Sequence, residues 1–247
     1  MKIEFFGTAG YHPNAERHTS SSYIEDASPE AGFVLDAGTG LFRLINRPLP
    51  PELYIFLSHA HLDHVAGLTY LYNVLNGKKS KLTVIGSDKT LRVVRESLFD
   101  SPLFPLKWTY DTRTIVSGEK FEVAGVKVSC FDLTHPGGCL AFRFDWPDRS
   151  LAYVTDTLGD GRYIDFIRDV DLLVHERNFS DDLQAIAAIS GHCTSTEIVN
   201  VARASGAKRL ALTHFNPLTN TDPLEEDALR DQLPGVISAR DGLVVEF

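Results

Sequence analysis

The stretch Ser58-His59-Ala60-His61-Leu62-Asp63-His64 places three imidazoles and one carboxylate within six residues. Neutral imidazole nitrogen and carboxylate oxygen suit zinc, and also accommodate manganese or iron. In an extended segment the side-chain period is two, so His59 and His61 point the same way. Asp63 and His64 lie past the bend and point elsewhere. One histidine pair and one separate Asp/His pair suggest two adjacent ions rather than one. The plainer alternative is a surface loop that happens to be rich in histidine. Against it, further candidate ligands recur downstream: His135, Asp156 and His214 follow or join strand-like runs, where a site assembled strand by strand needs them.

The elements that must position these groups are legible around them. Leu53 to Leu57 is a short apolar run of buried-strand type, and Val65 to Leu68 resembles a helix entry. The motif thus sits on a strand-to-helix loop, where a rigid scaffold aims ligands into a cleft. Residues 2–6, Gly32–Asp36, Leu82–Gly86, Lys120–Phe131, Leu140–Phe144, Leu151–Thr155, Asp171–Val174 and Ala207–Thr213 read as strands. Leu68–Leu75 and Lys89–Phe99 read as helices, and Leu41–Ile45 as a helical turn stopped by prolines. His135-Pro136-Gly137-Gly138 reads as a tight turn between two strands. Strands interleaved with helices, without a linker or repeat, argue one α/β domain over residues 1–247.

A chain of 247 residues supports one sizeable core, and 43% hydrophobic with 23% charged residues is ordinary for a soluble globular protein. No run approaches the roughly 18 apolar residues of a membrane span, and the first residues read as a strand rather than a signal peptide. Cys130, Cys139 and Cys193 have an odd count and no metal-type spacing, which fits a reducing cytoplasm. A formal net charge of −9 leaves no evident footprint for a nucleic-acid backbone. The densest basic group, Lys78-Lys79 with Lys81, reads as a solvated loop. Residues 100–110, with Pro102, Pro105 and Trp108, read as an active-site rim whose aromatics pack locally rather than form a substrate platform.

The His-x-His-x-Asp-His pattern resembles the signature of the metallo-β-lactamase superfamily, and the resemblance runs from residue 1 to about residue 220. It implies an αββα sandwich, two mixed β-sheets face to face with helices outside and ligands converging on one edge. By the family's pattern, His59, His61 and His135 would hold one divalent metal ion. Asp63, His64 and His214 would hold a second, and Asp156 would bridge the two. Zinc is the expected ion, with manganese as the substitute. Asp36, at the end of an early strand, takes a supporting role that orients ligands. Two such ions lie roughly 3.5–4 Å apart and lower the pKa of a shared water towards about 7, which yields a bridging hydroxide nucleophile. That machinery hydrolyses lactams, thioesters, lactones and phosphodiesters alike.

Two further stretches bear on the choice. In Gly191-His192-Cys193-Thr194-Ser195-Thr196-Glu197, Thr194 and Glu197 form a capping box, so a helix starts near Ser195 and runs to about Ala204, with Gly206 as its stop. His192 then lies just outside a helix N-terminus, where a protonated imidazole can stabilise an anionic transition state or protonate a leaving alkoxide. In His175-Glu176-Arg177-Asn178-Phe179, Glu176 is placed to hydrogen-bond His192 and keep it charged, while His175 reads as structural. The two stretches resemble the His-Glu-Ala-Thr-Phe and Gly-His-Ser-Thr motifs of ribonuclease Z and its phosphodiesterase relatives. Arg17 and Ser20-Ser21 resemble their N-terminal loop, whereas His12 and His18 read as solvated or substrate-side.

The departures are informative. Ribonuclease Z carries a long tRNA-gripping arm between the ligands matching His135 and Asp156, and here only 20 residues separate those two. Cys193 stands where a serine is usual. The expected activity is therefore a dinuclear metal-dependent hydrolysis of small or cyclic phosphodiesters, with Asp63, Glu176 and His192 as catalytic candidates and tRNA disfavoured as substrate. Alternatives are a lactone, thioester or carboxylic-ester hydrolase on the same metals, a ribonuclease Z-type endonuclease, an iron oxidoreductase (against which His61 counts, since the diiron type has Glu there), and a binding module without turnover. Many relatives are dimers, so the resemblance admits a homodimer. Nothing implies a membrane partner.

Overall fold

A computed structural model describes residues 1–104, 110–219, 227–233 and 235–247. Two seven-stranded mixed sheets face one another. The first contains β1 (Lys2–Gly7), β2 (Ser21–Ser28), β3 (Ala31–Leu35), β4 (Glu52–Phe56), β5 (Lys81–Ser87) and β6 (Asp111–Ile115). The second contains β7 (Lys120–Val123), β8 (Val126–Leu133), β9 (Cys139–Asp145), β10 (Ser150–Val154), β11 (Leu172–Glu176), β12 (Leu210–Thr213) and β13 (Ile237–Ser238). The last strand, β14 (Val244–Glu246), returns to the first sheet beside β1. Neighbours from β3 to β6 and from β10 to β13 are parallel, and the remaining pairs are antiparallel.

Three apolar layers hold the sheets and their covers together. Between the sheets, Phe33, Phe56, Phe142 and Phe144 form an aromatic cluster with ring centroids 5.0–5.7 Å apart for four of its pairs. Such pairs add about 0.5–1.5 kcal/mol each beyond the area they bury. On the outer face of the first sheet, Val34, Ile55 and Val84 pack against Leu41, Leu68, Leu71 and Val74 from the covering helical segments. On the outer face of the second, Ala152, Val154, Leu173 and Leu212 pack against Ile198, Val201 and Ala202. Strands β3, β10, β11 and β12 are buried along their whole length. That is why their sequences carry apolar stretches such as Leu151–Val154, Leu172–Val174 and Leu210–Leu212 rather than an alternating pattern. The expected αββα layering is met.

The α-helices of the described residues are α1 (Leu62–Val65), α2 (Leu71–Leu75), α3 (Asp88–Val93), α4 (Gln184–Ser190), α5 (Ser195–Ser205) and α6 (Asp227–Gln232). The segment expected to be helical over Lys89–Phe99 is α-helical only to Val93 and continues as a π-helical turn from Val94 to Phe99. The stretch expected as one strand from Lys120 to Phe131 is instead the hairpin β7–β8. Ala124 and Gly125 both take positive φ there, 49° and 81°, the conformation of a two-residue hairpin turn. His175 and Glu176 complete β11 rather than follow it. Of the expected active-site rim, Pro102 lies within the described residues, whereas Pro105 and Trp108 lie outside them. Lys78 does not point into solvent: its Nζ donates to the carbonyls of Leu44 and Ile45. Among the described residues, no helix is long and apolar enough to cross a membrane.

Candidate metal centre

The parallel strands explain why distant residues meet. Val154 of β10 is in register with His175 of β11, and Glu176 with Thr213 of β12. The residues just beyond these strand ends, Asp156 and His214, therefore emerge side by side with Glu176 at one edge. On the opposite sheet Leu35 of β3 is in register with Phe56 of β4, so Asp36 and Ser58 emerge together. The Ser58 carbonyl accepts from Leu140 N at 3.0 Å and ties the two sheets at this edge. Asp36, Asp156 and His214 share a feature: each follows a buried strand and has positive φ, 56°, 41° and 57°. Left-handed backbone is uncommon outside glycine, with Asp and His among the residues that tolerate it best, and it concentrates at functional sites.

Among the described residues three groups of potential ligands result, one of them Glu176, His192 and His214. The two clusters that share Asp156 are the larger: His59, His61, His135 and Asp156 in one, and Asp63, His64, Asp156 and His214 in the other. Asp156 belongs to both, and its two oxygens divide between them. Oδ2 lies 3.5 Å from His59 Nε2 and 3.6 Å from His135 Nε2. Oδ1 lies 3.4 Å from His64 Nε2 and 3.2 Å from His214 Nε2. His61 completes the first cluster, its Nδ1 3.2 Å from His135 Nε2. Asp63 completes the second, its Oδ2 3.3 Å from His64 Nε2 and 3.2 Å from His214 Nε2. All seven residues singled out by sequence are brought to this one edge.

Hydrogen bonds behind the clusters set which nitrogen faces inward. Ser58 Oγ donates to Asp36, so its oxygen accepts from His59 Nδ1 at 2.9 Å. His64 Nδ1 donates to Asp36 Oδ2 at 2.8 Å, and His135 Nδ1 donates to the Gly191 carbonyl at 2.9 Å. Each bond leaves Nε2 free to ligate, as supporting partners of metal-binding histidines do. Tyr153 OH also donates to Asp36 Oδ2, at 2.8 Å. The backbone makes room for the rings: a Cβ on Gly10 would stand 2.4 Å from Cε1 of His214, and one on Gly191 2.4 Å from Cδ of Pro136.

The donor set fits divalent ions. His59 Nε2 is buried without a hydrogen-bond partner, its lone pair turned towards a carboxylate oxygen. That arrangement is repulsive unless a cation stands between them. Burial, and then the neighbouring His64, push His59 well below the ordinary imidazole range. Burial also lowers His61 and His135. These three are therefore neutral, the form in which imidazole binds metal. The second cluster behaves differently. Burial pulls His64 down, but Asp156, Asp63 and Asp36 raise it well above its usual value. In the metal-free chain a proton on His64 supplies positive charge to a nest of buried carboxylates.

A third group stands beside both clusters. Glu176 is fully buried and accepts from Thr157 N at 2.6 Å and from His192 Nδ1 at 3.0 and 3.1 Å. Burial opposes charge on His192, but Glu176 outweighs it and holds the imidazole up to about 9. The His192 ring lies between one ligand candidate of each cluster, 5.0 Å from His135 and 5.4 Å from His214 by ring centroids. The capping box at Thr194 and Glu197 forms as expected, and α5 starts two residues beyond Cys193. Cys193 faces away from the site, its thiol donating to the Thr157 carbonyl at 2.9 Å.

A family model described as the beta-lactamase superfamily domain matches residues 26–215. The chain belongs to the beta-lactamase superfamily. As a superfamily member it is 25% identical over 307 residues to the ribonuclease Z of Haloarcula marismortui, covering 100% of this chain and 97% of the relative. It is 26% identical over 240 residues to the Bacillus subtilis protein named probable metallo-hydrolase YhfI, covering 92% of each. The crystal structure of the metallo-beta-lactamase fold protein YhfI superposes with a TM-score of 0.82 at 24% identity, over 99% of this chain and 98% of that one. The superfamily member described here is thus a metal-dependent hydrolase with the metallo-beta-lactamase fold, whose His/Asp clusters are able to bind metal ions.

The other residues weighed from sequence fall outside the clusters. His175 is buried, donates through Nδ1 to the Glu176 carbonyl and accepts from Tyr163 OH at Nε2, both at 2.8 Å. His12 is bonded to Pro13 O and His18 to Thr39 Oγ1. Arg17 donates to Thr8 Oγ1 and the Ala239 carbonyl and lies over the Phe215 ring. Sequence reasoning missed the residues that shape the mouth. A cavity of about 520 Å³ opens onto the clusters and is lined further by Tyr11, Asn178, Phe179, Ile186, Asn216 and Leu218. Apart from Asn178 and Phe179, which stand in the motif with Glu176, they lie in loops or on an unrecognised helix, and no spacing marks them.

Proposed function

We propose that this hydrolase acts on small or cyclic phosphodiesters with two divalent ions, zinc foremost and manganese as the substitute. The observation that carries the reading is His192. It is held protonated by a fully buried glutamate and lies between His135 and His214. A carboxylic ester also passes through an oxyanion and expels an alkoxide. A phosphodiester, however, is anionic before attack and gains further negative charge on the way to the transition state, so a fixed cation and proton donor beside the leaving group serves it most. His59, His61 and His135 would hold one ion, Asp63, His64 and His214 the other, with Asp156 between them. Ions bound there supply Lewis acidity and lower the pKa of a coordinated water towards about 7. The chain's own residues do the rest. His192 Nε2 delivers the proton to the departing oxygen, Glu176 orients and charges His192, and Asp36 fixes the tautomers of His59 and His64.

The substrate we propose is small and not tRNA. Strands β9 and β10 pair directly and are joined by the four residues 146–149, which leaves no arm between His135 and Asp156. The net charge of −9 also disfavours a polyanion. Hydrolysis of bis(p-nitrophenyl) phosphate, by protein loaded in turn with zinc and manganese, tests the reading. Metal-dependent turnover that disappears in His61→Ala is the expected result. Absence of turnover with this diester and with cyclic nucleotides, together with turnover of thioesters or lactones, transfers the site to carboxylic-ester chemistry.

A further inference from the structure

Among the described residues, ten large hydrophobic side chains are exposed, and they are not scattered evenly. Tyr11, Ile186 and Leu218 line the cavity over the metal centre, with exposures of 77%, 52% and 77%. Phe179, Leu183 and Pro217 complete its apolar walls. Beyond the two clusters and His192, the polar groups that line it are neutral: Asn178, Ser190, Asn216 and Thr219. No lysine or arginine is among the described lining residues.

Tyr11 is the most telling of these. Its φ is 62°, a left-handed conformation in which glycine or asparagine is favoured and a bulky aromatic is not. The strain is held in place from both sides. Gly10 N donates to the Phe215 carbonyl at 2.9 Å, and Tyr11 N donates to Asp63 Oδ2 at 2.7 Å. The backbone of Tyr11 thus registers directly on a candidate metal ligand, while its ring projects into solvent at the mouth. The Tyr11 ring meets the His12 ring edge-on at 5.0 Å between centroids and is otherwise open at the mouth, where a bound planar or apolar group can pack on it.

We propose that this mouth is a specificity subsite for a substrate that carries a single negative charge at the metal centre and an apolar or aromatic substituent along Tyr11, Phe179, Ile186 and Leu218. The inference rests on the phosphodiesterase reading for the identity of the charged group, but not for the apolar wall. Along this wall, away from the metal centre and His192, the lining offers neutral amides and hydroxyls and no cation, so a second charge on the part of the substituent that lies there is disfavoured.

Calorimetric binding to the zinc-loaded protein tests this without reference to turnover. Dimethyl phosphate and diphenyl phosphate carry the same charge and differ in apolar area. Diphenyl phosphate should bind at least tenfold more tightly, and a carboxylate added to its ring should remove the gain. Tyr11→Asn preserves the left-handed backbone and the bond to Asp63 while deleting the ring. It should cut the diphenyl advantage at least threefold, as should Leu218→Ser on the opposite wall. Equal binding of the two diesters, or an advantage that survives both substitutions, overturns the subsite. Failure of the phosphodiesterase reading looks different: no diester is turned over, yet diphenyl phosphate still binds with Tyr11-dependent affinity.

Discussion

His192 Nδ1 lies 3.0 and 3.1 Å from the two carboxylate oxygens of a fully buried Glu176. The pair is asymmetric in its surroundings. Glu176 has further support from Thr157 N, whereas His192 relies on Glu176 for its charge. Removal of the carboxylate charge leaves burial as the dominant influence, and burial lowers an imidazole. In Glu176→Gln the His192 pKa should therefore fall from about 9 to below the ordinary 6.5. Histidine ring resonances followed by NMR in the metal-free protein read this directly. Because the folded value is raised, the stabilisation from this pair is complete below about pH 6.5 and fades as pH rises through 9.

The same pair sets an activity prediction. If His192 protonates the leaving group, His192→Ala should lower turnover about 100-fold or more. In the wild type the alkaline limb of the pH–rate profile should follow loss of that proton, and in Glu176→Gln it should move towards acid. A loss of less than threefold in His192→Ala removes this residue from the mechanism.

Asp36 accepts from Ser58 N, Ser58 Oγ, His64 Nδ1 and Tyr153 OH, all at 2.8–2.9 Å, and it does so at 0% exposure. Every partner is a donor, so an amide in place of the carboxylate sets an N–H against one of them. Asp36→Asn should weaken metal affinity about 10- to 100-fold, the usual cost of losing a group that orients ligands. Competition with a chromophoric chelator measures it. Tyr153→Phe, which deletes one donor and no acceptor, should cost distinctly less.

Several of the candidate residues were legible in the sequence because they end an apolar run. The supporting Asp36 and the candidate ligands Asp156 and His214 follow strands buried along their whole length, and His59 follows the partly buried β4. The capping box at Thr194 was legible for a similar reason, since it pairs a hydroxyl and a carboxylate at fixed spacing. The β7–β8 turn was hidden, because Ala124 takes a left-handed conformation that alanine rarely signals. The two-residue β13 and three-residue β14 are too short to show any period. Tyr11 and Leu218 escaped notice because an exposed hydrophobic residue in a loop acquires meaning only from the cavity it lines.

Gly10 tests whether the second cluster is built by close packing. An alanine Cβ there would lie 2.4 Å from the ring of His214 and 2.8 Å from Asn178 Nδ2. The ring must move, and with it Nε2, which stands 3.2 Å from both Asp63 and Asp156. If two ions bind as proposed, Gly10→Ala should lose one of them while retaining the one held through His59, His61 and His135. Metal analysis after dialysis gives the stoichiometry. Gly86→Ala is the comparison: its Cβ meets nothing nearer than 3.5 Å, and its stoichiometry should equal the wild type.

Metal loading should release protons, and the source is identifiable. His64 is held well above its ordinary pKa by Asp156, Asp63 and Asp36 in the metal-free chain. Its Nδ1 proton is committed to Asp36, so the proton displaced by an ion is the one on Nε2. Binding near pH 7 should release close to one proton from this residue, seen as a dependence of calorimetric heat on buffer ionisation enthalpy. His59, His61 and His135 are already neutral and contribute none. Binding to the folded state alone also stabilises it, by about 2.7 kcal/mol at free metal one hundred times Kd. For a chain of this size that corresponds to a rise in Tm of roughly 5–10 °C, reversed by chelation. A rise in Tm without proton release would place the ion in the first cluster only, with His64 still protonated beside it.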